Sequence, residues 1–219
     1  MALRDWFFCV LAALACAPSL AAQSTSGKDL AAGKFLVASR DTRDPNFMET
    51  VVLLVQFQQG GVVGLVINRR TTIPISRALS AEEAKGRPDP IYIGGPVQVR
   101  GIMALARSSA DVAEAKHVFG DVYLITTKSL LNKSLASPIA ASAFHVFLGY
   151  AGWSGPQLGR EMELGRWYVF PGDSATVFDT DPNSVWDRLI EKTETRLAMS
   201  ILSLTPHGEG PSSCRTFRR

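Results

Sequence analysis

Strand-like and helix-like segments intermix along this chain without a repeating βαβ unit or an internal repeat, and that pattern predicts an α+β fold. Composition agrees: 46% apolar and 20% charged residues in a chain of 219 suit one sizeable folded domain. The apolar segments are short and punctuated by glycine and proline, as strands joined by tight turns require.

The first segment stands apart from that fold. Arg4 precedes an uncharged, mostly apolar run from Trp6 to Ala17. Pro18-Ser19-Leu20-Ala21-Ala22-Gln23 follows, with small residues at Ser19 and Ala21, which is the layout of a cleavable export signal over residues 1–22. A run of about 12 residues is too short for a bilayer that needs roughly 20, so no transmembrane anchor is expected. Asp5 offsets Arg4, and Cys16 after Leu14-Ala15 marks an alternative lipoprotein-type cleavage point, although Ala13 stands where a large aliphatic residue is usual. The expected product is periplasmic or secreted, with a cytoplasmic location as the alternative.

Residues 23–32 read as a polar linker and residues 33–204 as the domain. Lys34 to Ala38 is the first strand. Asp44-Pro45 turns the chain into a second strand from Val51 to Phe57, too apolar to leave a face in water. Gln58-Gln59-Gly60-Gly61 then reverses it into Val62 to Asn68 as a hairpin. Pro74 and a Ser80-to-Glu83 capping box mark short helical pieces, and Gly86 to Pro90 leads into a strand over Ile91–Ile93. Further strands are expected near Gly101 to Ala106 and Asp121 to Thr126. Thr127 is placed to cap a short helix through Leu131, broken by Ser137-Pro138.

Phe144, Val146 and Leu148 alternate with His145 and Phe147 across the two faces of a strand that Gly149 ends. Ser154 stands as an N-cap with Gln157 completing a capping box, Leu158 and Met162 give the helix an apolar stripe, and Gly165 closes it in the left-handed conformation. Asp181 caps the last helix and Pro182 opens it, with Trp186, Leu189, Ile190 and Leu197 on one side. Residues 205–219 read as a disordered basic tail.

The segments GKFLVAS, DPNF, GGVVGLVINR, IYIGGPV, GDVYLITTKSLL, LGYAGWSGPQL and VWDRLI occur in that order between Gly33 and Leu204. In this combination the sequence resembles the AlgH/YqgE family of small bacterial proteins, which carry the label of transcriptional regulators and whose molecular function is unknown. The resemblance implies a bifurcated, mostly antiparallel sheet forming a pseudo-barrel with short helices around it. This chain departs from the family's common pattern at Arg70, where a proline is usual, and at Gly159, where a glutamate is usual. Its leader is a further departure, since the family's usual members are cytoplasmic.

Charge bears on partners. The chain has 23 basic and 20 acidic residues; without Arg4, Asp5, Glu209, Arg215, Arg218 and Arg219 the balance is 19 to 18. A nearly neutral domain lacks the basic face that neutralises several phosphates, so no direct nucleic-acid binding is expected. Cys9 and Cys16 fall in the leader, which leaves Cys214 unable to form an internal disulfide.

No motif demands catalysis. Gly152-Trp153-Ser154-Gly155-Pro156 approaches the nucleophile elbow, but ends in proline, and only His117, His145 and His207 are available as bases. An N-cap role explains Ser154 without partners, and a serine hydrolase is the minor alternative. The spacing that ends at Gly64 leads into a strand where a nucleotide loop needs a helix. Histidines are scattered and no CxxC occurs, so no metal and no cofactor is expected. Glu161 and Glu163 fall on different helix faces and read as solvated surface, while Asp179 and Asp181 read as favourable charges at a helix start. What remains is a surface of Asn68, Arg69, Gly94, Gly95, Tyr150 and Trp153, which offers turns and amphipathic rings to a protein or small-molecule ligand. The leading expectation is a non-enzymatic, exported binding domain in a regulatory role; the alternative is a cytoplasmic regulator acting through protein contacts.

Overall fold

A computed structural model describes residues 30–58, 61–79, 84 and 86–202, without the side chains of residues 58, 197, 198 and 200–202. The leader, the Ser80-to-Glu83 box, the Leu197 side chain, His207, the cysteines and the tail lie outside the described residues.

The chain builds a curled, largely antiparallel sheet with short helices against it, an α+β arrangement. β1 (Lys34–Ala38) pairs with β2 (Val51–Gln58), and β2 with β3 (Gly61–Val66), all antiparallel. Every residue from Val51 to Val55 is fully buried, because both faces of β2 are covered. The hairpin strand stops at Val66, and Asn68 lies in the following bend. β4 (Arg70–Pro74) leads directly into the one-turn helix α1 (Ile75–Ala78) and pairs with β5 (Pro90–Ile93). β6 (Val97–Arg107) begins four residues before the expected Gly101. β7 (Lys116–Phe119) and β8 (Val122–Ile125) form the far hairpin, and α2 (Lys128–Ala136) follows. Thr127 holds the N-cap place of α2 without a side-chain bond, and the helix runs past Leu131 until Ser137-Pro138.

β9 (Phe144–Trp153) is the axis of the fold, and here the sequence expectation needs correction. Gly149 does not end the strand. It adopts φ +68 inside it, at the point where the sheet forks. Before Gly149, Val146–Leu148 run parallel to Ile91–Ile93 of β5; after it, Ala151–Trp153 pair antiparallel with Val62–Gly64 of β3. On the other edge, Phe144–Leu148 pair with β6. The β5 chain leaves the fork through Gly94-Gly95, where a Cβ on Gly94 would stand 2.3 Å from the Gly149 carbonyl oxygen and one on Gly95 would stand 2.2 Å from the Tyr150 carbonyl carbon. Two backbones cross at a distance only glycine permits.

α3 (Gly155–Glu163), β10 (Trp167–Pro171, paired with β1), α4 (Ser174–Val177) and α5 (Val185–Leu202) complete the chain. α3 ends in a Schellman turn, with Arg166 N–H donating to the Glu161 carbonyl and Gly165 N–H to that of Met162. The last helix starts differently from expectation: Pro182 opens a 3₁₀ turn and the Asp181 carboxylate makes no cap. Asp179 is held instead by Arg188 and by the Asp181 N–H at 2.8 Å.

The alternation read in β9 holds. Phe144 and Val146 pack with Leu131 and Leu135 of α2, while Phe147 joins Phe35, Trp186 and Ile190 beneath α5. A third cluster sets Leu158 and Met162 of α3 against Leu36, Val52 and Trp153. Trp186 ties α5 to β1 through an Nε1–H bond of 2.8 Å to the Ala38 carbonyl.

Candidate functional site

Two loci stand out, at opposite ends of β9. At its C-terminal end, Ser154 Oγ accepts the Gln157 N–H at 3.3 Å and starts α3 as an N-cap should. The Gln157 side chain does not return a bond to Ser154; it donates along the helix to Glu161 Oε1 at 3.1 Å. Glu161 is not a solvated surface residue. Its Oε2 accepts the indole N–H of Trp153 at 3.0 Å and that of Trp167 at 2.8 Å, so one carboxylate fixes two rings. The indoles meet edge to face at 5.9 Å, and Phe47 stacks on Trp153 at 5.5 Å while meeting Trp167 edge-on at 5.5 Å.

Phe47 is delivered by the DPNF turn, in which Asp44 accepts from the N–H groups of Asn46, Phe47 and Met48. Two side chains from the far end of the hairpin fasten this turn. Buried Asn68 accepts the Val51 N–H and donates to the Glu49 carbonyl, both at 2.8 Å, which holds Glu49 at φ 53. Arg69 donates to the carbonyls of Pro45 and Met48 at 3.1 and 3.3 Å, and burial lowers its pKa against the opposing charge of Asp44. Between the turn and α3 lies a cavity of about 320 Å³, lined among others by Asp41, Arg43, Phe47, Glu161, Arg166 and Trp167.

Of the residues expected at a ligand surface, none lines this cavity: Arg69 and Asn68 fasten the turn, and Trp153 stands behind Phe47 and Glu161. Gly94, Gly95 and Tyr150 belong to the fork, where backbone crosses backbone. Sequence reasoning missed Phe47, Glu161 and Trp167 as partners; the legible signal was a run WYVF with strand propensity, which puts Trp167 on a strand, while its place beside Trp153 comes from the fold.

The second locus surrounds His145. Its ring stacks on Tyr92 at 4.5 Å and packs against Phe178 at 5.0 Å, with Nε2 3.4 Å from the Tyr92 hydroxyl. Nδ1 is buried and meets no acceptor in full hydrogen-bond geometry among the described residues, although the Ala141 and Val177 carbonyls are close enough to act on the ring. Burial lowers the His145 pKa from 6.5 to about 4; the Ala141 and Val177 carbonyls and Asp89 oppose the shift and Arg70 assists it. Burial also raises the Tyr92 pKa. Beside the pair lies a cleft of about 240 Å³.

Among the described residues, the constellation that the minor hydrolase alternative needs does not assemble. Eight residues of β9 separate His145 from Ser154, and the two lie at opposite ends of that strand. His117 is on β7 and meets the Gly120 carbonyl at 2.9 Å. Among the described residues, no three His, Cys, Asp or Glu side chains gather as a metal would need, and no helix is long and apolar enough to cross a membrane.

A sequence profile described as AlgH-like matches residues 35–198. A UPF0301 protein of Chlorobaculum tepidum is 33% identical over 159 residues, covering 72% of this chain and 84% of that relative. The solution structure of the AlgH protein from Pseudomonas aeruginosa superposes with a TM-score of 0.59 at 29% identity, covering 81% of this chain and 95% of that one. A crystal structure of a Corynebacterium diphtheriae protein shares the fold, with a TM-score of 0.64 at 21% identity over 75% of this chain and 87% of that one.

Proposed function

The chain belongs to the AlgH-like family, whose molecular function is unknown, and from that premise we propose that it is a non-enzymatic binding domain, exported after removal of residues 1–22. It takes a polar group of a protein or small-molecule ligand into the cavity between the DPNF turn and α3, in a regulatory role. The observation that carries this reading is Glu161, whose carboxylate orients two indoles at the edge of an otherwise rigidly fastened pocket. Arg43 and Arg166 are exposed at the same opening and present donors to an incoming acceptor. Fixed rings beside exposed donors are the anatomy of a recognition site. The nearly neutral charge of the domain supports a ligand other than nucleic acid.

A photo-crosslinking residue placed at Arg43 in growing cells tests the reading. The expected result is a discrete adduct that disappears with Arg166→Ala and does not form from the exposed position Lys116 on β7. No adduct from position 43, or equal adducts from both positions, overturns it.

A further inference from the structure

The cleft beside His145 has a composition that the pocket at Glu161 does not share. Tyr92, Phe144 and Phe178 supply an aromatic wall, and His145, 7% exposed, adds a ring whose Nδ1 meets no acceptor in full hydrogen-bond geometry among the described residues. Buried nitrogens without such a partner are rare, and each asks for an explanation.

Three charged groups line the opening: Arg70, Asp89 and Asp179. Their commitments differ. Asp89 is paired with the buried Arg87 at 2.6 Å, and Arg87 is itself fixed by the carbonyls of Ser137 and Ile139. Asp179 is paired with Arg188 and accepts the Asp181 N–H. Arg70 donates through Nη1 to the Thr180 carbonyl at 3.2 Å and enters none of the ion pairs among the described residues. The cleft therefore combines one guanidinium outside those ion pairs, two carboxylates that already have arginine partners and an aromatic floor.

We propose that this cleft binds a small aromatic monocarboxylate, its carboxylate on the Arg70 guanidinium and its ring against Tyr92, Phe144 and Phe178. A planar guanidinium matches a carboxylate bidentately. The aromatic wall selects an anion that carries an apolar body, and the nearby Asp89 and Asp179 disfavour a second negative charge. At about 240 Å³ the cleft lies below the roughly 300–1,000 Å³ of sites for drug-sized ligands, which restricts the body to about one ring. Burial holds His145 neutral at ordinary pH, so the charge of the anion is met by Arg70. The site is independent of the pocket at Glu161, and either assignment stands or fails alone.

The test is an NMR titration of the full chain with benzoate, benzyl alcohol and inorganic phosphate, following the His145 imidazole, the Tyr92 and Phe178 rings and the two indoles of Trp153 and Trp167. Benzoate is expected to shift His145, Tyr92 and Phe178 saturably and to leave the indoles in place. Benzyl alcohol should need at least tenfold higher concentration, phosphate should leave the three rings unmoved, and Arg70→Gln should weaken benzoate at least tenfold while the rest of the spectrum is kept. Unmoved rings with benzoate, equal binding of benzyl alcohol, or the same shifts with phosphate each overturn the proposal. The wild-type comparison of benzoate with benzyl alcohol decides the matter even if the Arg70 variant fails to fold.

Discussion

His145 is where a single side chain links burial to pH. Its pKa falls from 6.5 to about 4 because the imidazolium has lost water; Arg70 pushes in the same direction, while Asp89 and the carbonyls of Ala141 and Val177 resist. The unfolded chain takes up this proton near 6.5 and the folded chain only near 4. Acid therefore favours unfolding: the contribution of neutral His145 is complete above about pH 6.5 and is lost as pH falls toward 4. At about 1.4 kcal/mol per unit, the shift amounts to roughly 3 kcal/mol at most. Urea unfolding at pH 7, 5.5 and 4.5 should show a visibly flatter loss of stability for His145→Gln than for the parent chain. Parallel pH profiles would mean that the imidazole already titrates normally in the folded state. Glu161 and Asn68 are polar residues with bonding partners on other elements: the two indoles on β9 and β10 for Glu161, and the turn before β2 with the start of that strand for Asn68.

At the scale of elements, the fork in β9 and the helix after it make opposite demands on glycine. A methyl at Gly149 would stand 2.5 Å from the Gly95 carbonyl oxygen and 3.0 Å from that of Val97, both backbone atoms, on a residue at φ +68. Gly149→Ala is expected to destabilise by about 2 kcal/mol or more, since neither the crossing chain nor the left-handed backbone can yield cheaply. Gly159 lies inside α3, and a methyl added there would meet nothing within 4 Å. Gly159→Ala should stabilise by about 1 kcal/mol through helix propensity alone. Thermal unfolding of the two variants checks both signs, and a neutral Gly149→Ala would show that the fork is not held by this close crossing. The sequence made much of this level legible: β1, β2, the alternation of β9, the Ser154 cap and the Gly165 turn all follow from local patterning. It misjudged Gly149 because a glycine at the end of an apolar run and one inside a kinked strand look alike until the second backbone is present. β4, β7 and the α4 turn are too short to carry a period of their own.

For the whole molecule, three apolar clusters around one forked sheet account for the even burial of the central strands, and the exposed pair between Arg40, just after β1, and Glu194 of α5 adds little to it. The proposal that the protein is exported rests on the leader-like residues 1–22. Fractionating cells that express the full chain and measuring the mass of the product is expected to give a periplasmic species that begins at Ala22 or Gln23. An intact cytoplasmic species beginning at Met1 would return the protein to the compartment in which a gene regulator acts.

The sequence by itself determined the class of fold, the family, the Ser154 cap and the Gly165 turn, because these depend on residues close together in the chain: alternation, glycine and proline positions, and a cap three residues from its partner. The tertiary structure decided the rest. Only folding brings Trp153, Trp167 and Phe47 onto one carboxylate, and only folding places Arg70 at the opening of a cleft beside a histidine 75 positions later in the sequence. Hydrogen bonds, desolvation and close packing act over a few ångströms in space, and separation along the chain does not report that distance.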